Sequence, residues 1–67
     1  RLIYEVGYDC GDGIFSVNLL EGNLEIVRQT ADDNAKRFGY KVSYISQVSQ
    51  SDADYKRYKG MPYQKVS

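Results

Sequence analysis

Asn23-Leu-Glu-Ile-Val-Arg-Gln-Thr-Ala-Asp-Asp-Asn-Ala-Lys-Arg-Phe-Gly39 is the stretch on which the strand count turns. Thr30 is a good helix N-cap, with Asp32 and Asp33 just inside it. Ala31, Ala35 and Phe38 recur at i, i+4 and i+7, one helical stripe, and Gly39 suits the position just past a helix end. Upstream, Leu24 and Ile26 alternate against Glu25, and Ile26-Val27 is a β-branched pair that favours strand. A competing reading runs one long helix from about Asn23 to Phe38. The punctuation at Thr30 and Gly39 favours the alternative: a strand over 24–29, then a helix of about two turns that must lean on a sheet to exist.

Working outward toward the N-terminus, Leu2, Tyr4, Val6 and Tyr8 share one parity and Glu5, Gly7 and Asp9 the other, which predicts a strand over 2–9. Cys10-Gly-Asp-Gly13 is a turn cluster whose Asp-Gly pair supplies the positive φ a hairpin needs. Residues 14–20 form the return strand, with Phe15, Val17 and Leu19 on one side and Ser16 and Asn18 on the other. With 24–29 this makes a three-stranded antiparallel meander. Toward the C-terminus, residues 40–48 alternate as Tyr40, Val42, Tyr44, Ser46 and Val48 against Lys41, Ser43 and Gln47, with Ile45 the exception. Ser51-Asp-Ala-Asp54 and Gly60 bracket a second short helix over about 52–59, and Pro62 follows its stop. Residues 61–67 add an edge strand or trail free. The predicted class is α+β: one small domain over 1–67, an antiparallel β-meander of three strands, a short helix, a fourth strand and a second short helix. Asp32–Lys36, Asp33–Arg37 and Asp52–Lys56 are each acid-first pairs four apart, an orientation that supports exposed helices.

Sixty-seven residues are about half of an average domain, and a core this small is thin. Six Val, four Ile, four Leu, two Phe and one Met are its strong core formers. No apolar run approaches the roughly 18 residues needed to cross a membrane. One cysteine and no histidine exclude an internal disulfide, an ordinary zinc site and a Cys–His catalytic pair. No metal and no cofactor is expected. The lone Cys10 fits a reducing compartment, since secreted domains this small usually need several disulfides, and the chain opens without a signal stretch. The expected location is cytoplasmic.

Asp9-Cys-Gly-Asp-Gly13 between two strands resembles the first phosphate loop of the actin and sugar-kinase superfamily. That resemblance implies a nucleotide phosphate on the glycine backbone and a metal near the Asp. Here Asp12 stands where that family prefers a small hydroxyl residue, and 67 residues are too few for two domains closing over a nucleotide. The string is read as a hairpin turn and Cys10 as a loop-tip thiol. Glu5, Asp9 and Asp12 are read as solvated carboxylates, and the chain as no enzyme.

Seven tyrosines are about twice an ordinary share. Tyr4, Tyr8 and Tyr44 are expected in the core. Tyr55 and Tyr58, three apart on one helix face, either dock that helix or form an exposed patch. Docking is favoured, because only Ala53 is otherwise available to bury. Tyr63 lies beyond Pro62, where it need not pack. Tyr55-Lys56-Arg57-Tyr58-Lys59 interleaves bases with aromatics, a pattern that can follow phosphates while stacking on bases.

Two functions follow. The first is a non-enzymatic protein-binding module, an inhibitor or adaptor that occupies a surface of a larger protein through Tyr55, Lys56, Arg57, Tyr58, Lys59 and Tyr63. The alternative is a nucleic-acid-binding module using the same basic, tyrosine-bearing third. Self-association through a sheet edge is a further expectation. In size and style the chain is similar to many small proteins of phages and mobile elements, which assigns no residue a role.

Net charge is zero by cancellation. Residues 1–29 carry two bases and five acids, 30–40 balance two against two, and 41–67 carry five bases and two acids. The chain is bipolar if folding keeps its ends apart.

Overall fold

The computed structural model describes residues 2–67. It is α+β: β1 (Ile3–Gly11), β2 (Ile14–Glu21), α1 (Leu24–Phe38), β3 (Lys41–Val48), α2 (Gln50–Tyr58) and β4 (Tyr63–Lys65). The four strands form one sheet in the order β3-β1-β2-β4, with β1 antiparallel to both neighbours and β4 parallel to β2. Arg1 lies outside the described residues, and with it one of the two bases counted in the acidic third. Among the described residues no helix is long and apolar enough to cross a membrane.

The expected third strand of the meander is helix. Residues 24–29 open α1, and the cap is Asn23, not Thr30: the Glu25 N–H donates to Asn23 Oδ1 at 2.8 Å. Val27, Ala31 and Ala35, spaced by four, are the buried side chains of this helix. Packing along that line outweighs the local β preference of Ile26-Val27. The end at Gly39 is as expected, with φ 73° and its N–H turned back to Ala35 and Lys36. The second helix also starts early. Ser49 caps it rather than Ser51, accepting from the Asp52 N–H at 3.2 Å.

From β2 the chain crosses over β1 to reach β3, and from β3 it crosses back to β4. Two crossovers of one hand in opposite directions must run over opposite faces, and the two cores lie on opposite faces. Val27, Ala31 and Ala35 of α1 cover Tyr4, Val6, Tyr8 and Leu20. Ala53 of α2 covers Ile3 and Leu19, the other parity of the same strands. The stripe of Tyr4, Val6 and Tyr8 on β1 and the stripe of Phe15, Val17 and Leu19 on β2 therefore lie on opposite faces of the sheet, and each face carries its own core.

Asp12 and Gly13 both have positive φ, 56° and 75°, as a two-residue hairpin turn requires. Cys10 is not at the loop tip. It lies within β1, half-buried, with its Sγ 3.8 Å from the Tyr8 carbonyl. In β3 the pairing with β1 skips Ser43, so Val42 opposes Tyr8 while Tyr44 opposes Gly7. That extra residue switches faces. Val42 and Ile45 pack under α1, whereas Tyr44 turns to the α2 face and is 41% exposed. Tyr4 and Tyr8 are core residues as expected, and Tyr44 is not.

Candidate interaction surface

Helix α2 meets the sheet through its smallest side chain. Ala53 is fully buried, while Tyr55 and Tyr58 are 61% and 85% exposed. The expectation that the two tyrosines dock this helix is overturned: a methyl group lets the helix lie close to Ile3 and Leu19, and the rings point away.

The bases of α2 divide between the sheet and solvent. Lys56 Nζ lies 2.7 Å from Glu5 Oε1 on β1, and Glu5 also accepts from the Tyr44 hydroxyl. Chiefly Lys56, and then Tyr44, hold the Glu5 carboxyl below the usual carboxylate range. The same hydrogen bond raises Lys56. Tyr44 is pushed up to about 12, mainly because its proton is held by Glu5. Arg57 stacks its guanidinium 3.9 Å above the Tyr63 ring. Tyr63 donates to Glu21, which raises its hydroxyl. Lys59 Nζ sits 5.7 Å from the Tyr55 ring centre.

Of the six residues singled out from sequence, Lys56, Arg57 and Tyr63 thus tie α2 and β4 to the sheet. Tyr55, Tyr58 and Lys59 remain on the outer surface. Among the described residues Glu5–Lys56 is the ion pair, and none of the three acid-first helical pairs closes. Glu5 is consequently not a solvated carboxylate. The bipolar reading is corrected too, since a base of the last third lies on an acid of the first.

Sequence reasoning missed Phe15 and Val17. Their alternation groups them with Leu19 on one side of the strand, and only Leu19 is buried. Phe15 is 62% exposed and Val17 half-buried. The reason is length: α2, at nine residues, is about 13 Å long, against about 27 Å for the eight residues of β2. It covers the Leu19 end only. Beside its uncovered flank lies a groove of about 410 Å³ lined by Val17, Tyr55, Lys56, Lys59, Gly60, Met61 and Pro62. Gly60, with φ 99°, makes the bend that carries the chain from α2 past this groove into β4.

Among the described residues there is no cluster of three metal-ligating side chains. The chain matches no protein-family model, no curated protein and no solved structure.

Proposed function

We propose that this chain is a non-enzymatic protein-binding module that acts by covering a surface of a larger protein, as an inhibitor or adaptor does. The observation that carries this reading is the aromatic exposure on the α2 side: Tyr55 and Tyr58 stand clear of the helix, and Phe15 extends the same face of β2 beyond Val17. Rings of this kind supply large contact area at low entropy cost and anchor interfaces. An apolar surface left open next to a groove is otherwise a liability for a small protein.

The nucleic-acid reading needs Lys56, Arg57 and Lys59 to reach phosphates together. Lys56 is paired with Glu5 and Arg57 is stacked on Tyr63, so the three bases are not all free for phosphates. That counts against it.

The test is affinity capture from the source cells at low and at moderate salt, with the wild-type chain and with Tyr55→Ala/Tyr58→Ala. The expected result is a protein retained by wild type at both salts and lost by the variant. Capture of nucleic acid that washes off at moderate salt overturns the reading.

A further inference from the structure

We infer that the open half of the β2 edge is a strand-addition site, which takes an extended segment of the partner protein with apolar side chains at alternate positions. The inference rests on the protein-binding reading above and names the mode of contact. Backbone geometry comes first. The Leu19 N–H donates to the Pro62 carbonyl at 2.8 Å, and the Val66 N–H donates to the Glu21 carbonyl at 2.8 Å. Both bonds leave β2 on the side away from β1. Backbone direction alternates along a strand, so Val17 and Phe15 aim their N–H and C=O groups the same way. Pairing with β4 covers only Leu19, Leu20 and Glu21. Among the described residues no strand faces Phe15 and Val17.

Side-chain space comes second. On the α1 face, beside this edge, lies a groove of about 340 Å³ that includes Tyr8, Asn18, Asn34, Phe38 and Tyr40. On the α2 face lies the groove of Tyr55, Met61 and Lys59. Val17 and Pro62 border both. Successive side chains of a strand point to opposite faces, so an added strand sends them alternately into the two grooves. The α1-side groove also holds a polar mark: the buried Oδ1 of Asn18 has no hydrogen-bond partner among the described residues. On the α2 side, Lys59 complements a carboxylate.

A second copy pairing through this same edge is obstructed, which favours a different protein as the occupant. Tyr63 opposes Leu19, which sets Pro62 beside Asn18. A copy presenting this same edge antiparallel, with its Phe15 against Val17, would bring its Ile14 to the place Pro62 already holds. A free extended segment ends before that point. Backbone pairing plus alternate pockets is a general mode of peptide recognition.

The probe is a library of random linear peptides displayed on phage and selected against the whole chain, followed by titration of the enriched peptides, made synthetically, with amide hydrogen exchange read residue by residue. Enriched peptides should alternate apolar residues and slow exchange at Phe15 and Val17. Val17→Pro removes an edge N–H where proline is tolerated. It should weaken binding by about tenfold or more, while Val17→Ala, which keeps the N–H, retains most of it. Should Val17→Pro fail to fold, N-methylation of alternate peptide amides reports the same bonds: one set of positions should abolish binding and the other leave it. No enriched peptide, protection at β3 instead, insensitivity to N-methylation, or a dimer that Val17→Pro dissolves would each overturn the inference. A protein still captured by Val17→Pro but lost by Tyr55→Ala/Tyr58→Ala would overturn strand addition while leaving the protein-binding reading intact.

Discussion

The ring of Tyr44 lies over Gly7, its direct partner across the β1–β3 pairing, so closely that a Cβ on Gly7 would overlap it. The missing side chain lets the Tyr44 hydroxyl reach Glu5, two residues along the same face, and Glu5 in turn holds Lys56 of α2. One glycine therefore permits a chain of contacts from β3 across β1 to the second helix. Gly7→Ala forces the ring outward and should destabilise the fold by about 1–3 kcal/mol, the usual range for overpacking. The lower end is expected, because Tyr44 is part-exposed and can swing away. In urea denaturation, Gly7→Ala/Tyr44→Ala should lose much less than the sum of the single variants. Additive losses would show that the ring and the glycine are not coupled.

The same cluster sets a pH signature. Glu5 has a folded pKa below its ordinary value, so its contribution is present in full above about pH 4.5 and is lost as pH falls through the folded value. Tyr44 has a raised folded value, about 12. Its contribution is present below about pH 10 and is lost as pH climbs from there toward 12. The urea midpoint should therefore fall at both ends, and Glu5→Gln should flatten both slopes together. A variant profile parallel to wild type would disconnect Glu5 from either limb.

The start of α1 separates two readings of one sequence. With Asn23 as the cap, Asn23→Ala should cost about 1 kcal/mol, whereas Thr30→Ala, inside the helix, should be neutral within about 0.5 kcal/mol. Thermal melts of the two variants check this directly. A larger loss at Thr30 would restore the shorter helix and the third strand.

Much of the punctuation was legible in the chain. Asp12-Gly13, Gly39 and Gly60 do what their residue types imply, because positive φ is a local demand met by local chemistry. The elements between them were less so. Leu24–Gln29 carries β-branched residues and a weak alternation, and only the line of Val27, Ala31 and Ala35 against the sheet makes it helix. The skipped Ser43 left a trace, Ile45 out of alternation, but no local signal says which way a bulge resolves. The candidate surface was half legible. Tyr55, Tyr58 and Lys59 stood out by type, whereas Phe15 and Val17 did not. Alternation says which face of a strand a residue lines, but not how far along that face a short helix reaches.

The docking of α2 makes the final contrast, between a small buried residue and two large exposed ones. Ala53 has no exposed surface between α2 and the Ile3–Leu19 floor. Ala53→Leu adds bulk where the helix lies closest and should cost about 1–3 kcal/mol. Tyr55→Ala and Tyr58→Ala remove far more volume, yet from solvent, and each should stay within about 0.5 kcal/mol of wild type. The ordering is the reverse of what a helix docked through its tyrosines would produce. Urea midpoints for the three variants therefore decide whether those rings support the fold or stand free for a partner: a loss at Tyr55 or Tyr58 that matched the loss at Ala53 would return them to the core.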